Sequence, residues 1–217
     1  MANETNPENP TTTKKRGRPR VFDRDAALAK ATELFWRKGY EATSISNLTE
    51  AMNIRTPSLY AAFGSKEALY IEVLEFYQNN YGPLVWGRFF NAESAQKAIE
   101  NLLLDSAATL TGCKADIPNG CMVSLSSVAS EGYLHLGDIV QNARSLTFDR
   151  IKARLDEDVK AGKLKPDFDT NAFARYIQNI QLGMSVLARD GATRKDLEGV
   201  AEMAMLTLHS HNLEIDK

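Results

Sequence analysis

The chain has 217 residues, 43% of them hydrophobic and 25% charged, enough for one large domain or a small one joined to a medium one. Its net charge of −2 excludes a uniformly basic nucleic-acid coat protein, and no apolar run approaches the roughly 20 residues of a membrane span. Two cysteines, Cys113 and Cys121, and three late histidines, His135, His209 and His211, supply neither a disulfide framework nor zinc-finger spacing, so a reducing cytoplasm fits.

Residues 1–20 are rich in Asn, Thr, Pro, Lys and Arg. They lack the apolar stretch of a secretory signal and cannot build a core, so a disordered arm is expected. Lys14 to Lys66 carries 11 Lys/Arg against five Asp/Glu, while Glu67 to Lys217 carries 15 against 21. A basic quarter on an acidic body suggests a local polyanion-binding surface; chance clustering on a solvated face is the alternative. Within the arm, Lys14-Lys15-Arg16-Gly17-Arg18-Pro19-Arg20 resembles an AT-hook core. Arg16, Arg18 and Arg20 are candidates for an A·T minor groove or for phosphate contact, against a merely solubilising tail.

The rest reads helical, with no alternating strands. A first helix is expected from Asp23 or Asp25 to Lys38, with Ala27, Leu28, Ala31, Leu34 and Phe35 on one stripe and Gly39 as its stop. A second starts at the Thr43-Ser44 cap and ends near Met52, with Ile45, Leu48 and Ala51 inward and Asn53 at the turn. Thr56 is read as the cap of a third, with Pro57 at its first position and Gly64 at its end; Ser65 caps a longer fourth. Two short helices across a tight turn make the layout of a helix-turn-helix, although a generic three-helix unit shares it. Further helices are expected over Glu93–Thr111, Met122–Ser130, Leu136 or Gly137 to Ala161, Thr170–Arg189 and Arg194 to about His211.

The stretch from Ala27 to Tyr70 resembles the DNA-binding domain of the TetR family of regulators. It carries Gly39-Tyr40, Thr43-Ser44-Ile45, Ser58-Leu59-Tyr60, Phe63 and Lys66-Glu67 in the family's order and spacing, with Asn53 where members usually have Gly. The resemblance implies an all-α chain: an arm (1–20), a helix-turn-helix domain (21–66), and a larger helical domain for effector binding and dimerisation (67–217). Lys66, in the first turn of the fourth helix, opposes the helix dipole at a position where a phosphate would suit both it and the free N–H groups. Tyr60, Thr43 and Ser44 are further phosphate candidates, and Arg55, Thr56, Pro57 and Ser58 are placed to read bases.

In the body, Phe173, Ile177, Ile180, Met184 and Leu187 are spaced 4, 3, 4, 3, like a coiled-coil seam, and Leu197, Val200, Ala201, Ala204 and Leu208 form a similar stripe. Either could instead face the protomer's own core. The resemblance favours a dimer interface of Phe173, Ile177, Ile180, Met184, Leu187, Val200, Ala204 and Leu208. It also implies a pocket for a small, apolar or aromatic effector, with Trp86, Phe89, Phe90, Met122, Leu125, Phe148, Tyr176 and Met184 as candidate lining, each equally readable as plain core. Lys114 beside Cys113 would favour a reactive thiol; two inert cysteines are the alternative. No nucleophile motif, HExxH or phosphate-cradling glycine loop suggests an enzyme, no cofactor or metal is expected, and Asp156-Glu157-Asp158 reads as a solvated face. The expected function is a repressor that leaves a near-palindromic operator when it binds its effector. A DNA-bound factor controlled by a protein partner is the competing reading.

Overall fold

The computed structural model describes residues 22–212, and among these it shows eight helices and no strand. They are α1 (Arg24–Lys38), α2 (Ile45–Met52), α3 (Thr56–Phe63), α4 (Lys66–Phe90), α5 (Ala95–Leu110), α6 (Leu134–Lys160), α7 (Thr170–Arg189) and α8 (Arg194–Asn212). The basic arm, with Arg16, Arg18 and Arg20, lies outside the described residues.

Local chemistry sets the boundaries of the first four helices. The Asp23 carboxylate accepts from the Ala26 amide at 3.0 Å and starts α1. Ser44 and Asn47 bond reciprocally across the first turn of α2, at 3.1 and 3.3 Å, satisfying two otherwise free amides. Asn53 takes the left-handed conformation (φ 54°, ψ 47°) that turns the chain into α3. Ser65 caps α4 through the Ala68 amide. The third helix differs from expectation: Arg55 is the N-cap, without a side-chain bond, and Thr56 is already helical. With Pro57 supplying no N–H, the first turn has one donor fewer to satisfy.

Leu28, Ala31 and Phe35 of α1 pack with Leu48, Leu59, Leu69 and Tyr70 around one core. Ala51, expected inside, is exposed, and Met52 is buried instead. This core also takes in Ile117, Met122, Val123, Val128 and Leu136, so the segment between α5 and α6 belongs to it. That segment turns repeatedly and forms no helix over 122–130. Its serines compete for the backbone, as Ser126 Oγ does for the Val128 amide at 3.5 Å. Arg144 of α6 binds the carbonyls of Val123, Ser124 and Ser126, which a helix would need for itself.

The second core is built around α5, whose Ile99, Leu102, Leu103 and Ala107 are fully buried against α6, α7 and α8. Asp158, read above as solvated, is buried, and its carboxylate accepts from the Ala95 amide at 2.6 Å to cap α5 from α6. Asp105 of α5 is also buried; it takes Arg88 bidentately at 2.7 and 2.8 Å and Lys114 at 2.5 Å. Burial favours its neutral form, but the hydrogen bonds and charges of Arg88 and Lys114 outweigh burial and hold the carboxyl below its ordinary range. A depressed folded pKa stabilises the fold above the unfolded value, about 4, and that stability fades as pH falls through the folded value. Asp105→Asn is therefore expected to cost about 2 kcal/mol at neutral pH. Thermal melts should show its gap from the parent narrowing below about pH 4.

Candidate DNA-binding face and internal cavity

The outer surface of α3 and its lead-in present Arg55, Thr56, Pro57, Ser58 and Tyr60, all exposed. Leu59 and Phe63 on the inner side anchor the helix. No acidic residue lies in α3, so nothing on it repels a phosphate. Tyr60 is 44% exposed with its ring on the surface, in keeping with a hydroxyl free to donate outward.

Lys66 opens α4 beside this face. Its ammonium lies 4.3 Å from the centre of the Tyr40 ring and 3.5 Å from the Glu41 carbonyl, so it is held in place. Partial desolvation lowers its pKa somewhat, opposed by Glu41 and Glu131. The Tyr40 hydroxyl is pushed up to about 12, first by burial and then by Glu67, and remains a neutral donor at every physiological pH. Ser44 is exposed at the start of α2. Thr43 does not join it: the residue is fully buried and its hydroxyl donates to the Gly39 carbonyl at 2.6 Å, bracing the turn after α1.

Behind the head lies a cavity of about 130 Å³ between α4, α5, α6, α7 and the 111–133 segment. Trp36 of α1 forms part of its wall, edge-on to Tyr77 at 4.8 Å and to Tyr81 at 5.3 Å. The indole N–H donates to the Gly120 carbonyl at 3.0 Å. Arg189 of α7 donates to the carbonyls of Trp36 and Asn119, at 3.0 and 2.9 Å. The end of α1 is thus tied to the cavity wall and to α7 at once. Burial raises the Tyr77 hydroxyl's pKa well above ordinary, and it donates to Cys121 Sγ at 3.2 Å.

Of the eight residues expected around an effector, Trp86 lines this cavity. Phe89, Met122 and Met184 are buried in the two cores, and Phe90 is exposed on the far end of α4. Phe148 packs under Arg175, 3.6 Å from its guanidinium. Tyr176 borders a separate surface groove with Phe168 and Phe173, and Leu125 lies against Gly120, outside the lining. Apolar pattern marks burial but not whether a side chain meets protein or empty space. The missed wall residues Tyr77, Tyr81 and Val85 recur every four positions along α4, a stripe of the kind that could have been read. Lys114, expected to tune Cys113, is committed to Asp105 and to the Leu84 carbonyl, while Cys113 is exposed and Cys121 lines the cavity.

The seam expected on α7 and α8 is likewise displaced. Phe173, Ile177, Met184, Ala204 and Leu208 are buried inside the protomer, while Ile180 and Val200 are half-buried against its core. Only Leu187 of the expected set is exposed, joined by Val186, Met203 and Leu206 at 45–65% exposure. A stripe spaced 4, 3, 4, 3 serves an intramolecular core as well as an intermolecular one, and here α5 occupies it.

Among the described residues no cluster of His, Cys, Asp and Glu could hold a metal, and no helix is long and apolar enough to cross a membrane.

The family of bacterial regulatory proteins described as tetR matches residues 27–73, from α1 into α4. The transcriptional repressor ComR of Escherichia coli K12 is 35% identical over 191 residues, 87% of this chain and 90% of ComR. The repressor BdcR of the same organism is 48% identical over 61 residues, 28% of this chain and 31% of its own length. Among solved structures, a cysteine variant of the TetR family regulator CifR, complexed with 26-base-pair operator DNA, superposes with a TM-score of 0.79 at 37% identity, covering 87% of this chain and 98% of that one. Similarity of that extent in both sequence and fold settles the family: the chain belongs to the TetR family and is a DNA-binding transcriptional regulator.

Proposed function

We propose that the protein is a cytoplasmic, homodimeric repressor whose grip on a near-palindromic operator is released when a small molecule enters the cavity behind Trp36. The observation that carries this reading is that one residue of the DNA-binding head, Trp36, is also a wall of the cavity in the body. The head comprises residues 21–66, with the body from 67 onward and α4 as a strut common to both.

In this scheme α3 enters the major groove, Arg55 with Thr56, Pro57 and Ser58 facing base edges, while Ser44, Tyr60 and Lys66 meet phosphates. A single helix of this length buries too little DNA for tight specific binding, so two copies across the α7–α8 face are required. A ligand in the cavity touches Trp36 and the Gly120 loop directly. It favours the head position in which its own contacts are best, and operator and ligand then weaken each other by the same factor. An interior open to a small molecule favours this over control by a protein partner.

The test is selection of genomic fragments with purified protein, followed by a salt series on the recovered site. A near-palindromic site should emerge. Tyr60→Phe and Lys66→Ala should weaken binding to every sequence by about 5–10-fold, and Lys66→Ala should also flatten the salt dependence. Arg55→Ala should relax preference at particular positions, worth about 1–3 kcal/mol. Recovery of no common sequence, or a Lys66→Ala protein with unaltered affinity and salt slope, would remove the proposed docking.

A further inference from the structure

We infer that the effector is a small organic anion: an apolar body of about ring size carrying a carboxylate or similar group that pairs with Arg150. The inference rests on the reading of the cavity as the effector site and adds to it the chemical class of the ligand.

Three observations converge. The 22 residues that line the cavity include no aspartate or glutamate but two arginines, Arg144 and Arg150, so a ligand meets only positive formal charge. Arg144 commits its Nε and one terminal nitrogen, Nη2, to the carbonyls of Val123, Ser124 and Ser126 and acts as a brace for the loop. Arg150 is not. It has no hydrogen-bond or ion-pair partner among the described residues, and its guanidinium rests over the rings of Trp86 and Phe90, at 4.9 and 5.5 Å. Its neighbour one turn along α6, Arg154, pairs with Glu157 and Asp158, and Arg88 on α4 pairs with Asp105.

A half-buried guanidinium stacked on aromatic rings keeps its planar fork of N–H donors available at the edge, the geometry that binds a carboxylate through two parallel hydrogen bonds. Burial alone acts on its titration, in the direction that penalises the unpaired charge, and a bound anion would relieve that penalty. The aromatic part of the wall, with Trp36, Tyr77 and Tyr81, suits an apolar body, while Gln78, Gln178 and Gln181 add neutral polar groups. The volume, about 130 Å³, is close to that of an engineered apolar cavity of about 150 Å³ that admits benzene.

The chain has two tryptophans, Trp36 and Trp86, and both line the cavity, so fluorescence excited selectively at tryptophan reports from this site. The experiment titrates the full-length protein with two matched pairs, phenylacetate against phenylacetamide and hexanoate against hexanamide, together with 2-phenylethylamine. The carboxylate of at least one pair is expected to bind about 10-fold more tightly than its amide, with the amine weaker than both. In Arg150→Gln that preference should shrink to about 2-fold or less, while Arg150→Lys, which keeps the charge, should retain part of it. Amides or amine binding as well as the carboxylates, or a preference that survives in Arg150→Gln, would overturn the anion assignment and leave the cavity standing as a ligand site. Fluorescence indifferent to all five probes would overturn the assignment and the effector reading of the cavity together.

Discussion

Placing carboxylates on the exposed face of the last two helices, in a Leu187→Glu/Met203→Glu chain, is expected to yield a monomer with operator affinity reduced about 100-fold or more. Val186 and Leu187 on α7 and Met203 and Leu206 on α8 are large apolar side chains exposed at 45–65% in a single protomer, a cost that a partner's matching face removes. A two-fold dimer would bring each introduced carboxylate toward its own copy, and like charges in a desolvated interface repel strongly. Sedimentation analysis reads the assembly state and fluorescence anisotropy on the selected site reads affinity. Because these side chains stand outside both cores, the variant should keep the parent's helix content. A variant that stays dimeric would move the interface elsewhere.

The second large effect is expected at Gly120. It sits at φ +78°, and a Cβ there would lie 2.5 Å from Leu125 Cδ1 and 2.9 Å from the Ser185 carbonyl oxygen. The leucine tip can move, but a helix carbonyl cannot. The backbone conformation costs about 1–2 kcal/mol for a residue with a side chain, and overpacking adds about 1–3 kcal/mol. Gly120→Ala should therefore destabilise by about 3 kcal/mol, or about 6–12 °C in Tm for a chain of this size. Gly132→Ala supplies the control, since its φ is also positive (+94°) but nothing lies within 4 Å of the added carbon. It should lose only the conformational part. Equal losses at the two sites would show that the close approach at Gly120 is relieved at no cost.

The head was legible in the sequence because its boundaries are made by single side chains acting within one turn. Asp23, Ser44, Asn53 and Ser65 each do locally what their chemistry permits anywhere. Thr56 misled because it is a good capping residue that is not used as one: the extended backbone of Arg55 begins the helix a residue earlier. The body resisted for a different reason. Phe89, Met122 and Met184 are apolar in sequence whether they meet a ligand, a partner or α5, and only three-dimensional packing distinguishes these. The segment 122–130 has the composition of a short helix, but Arg144, more than a dozen residues away, takes its carbonyls. Trp36 carries the same lesson: it lies beside the expected stripe of α1, and its place in the cavity wall follows from what stands across from it.

The continuity of α4 has a mechanical consequence. Lys66 at one end and Trp86 near the other belong to a single helix, about 30 Å apart at 1.5 Å per residue. Pro83 removes one hydrogen bond from the ladder near the Trp86 end, yet the helix runs on through it, and a helix that tilts as one piece acts as a lever. A tilt of about 6° imposed at the Trp86 end would carry the Lys66 end roughly 3 Å sideways, as far as a whole hydrogen bond is long. If Lys66 meets a phosphate as proposed, a ligand no bigger than a benzene derivative is enough to break that contact without unfolding a single turn.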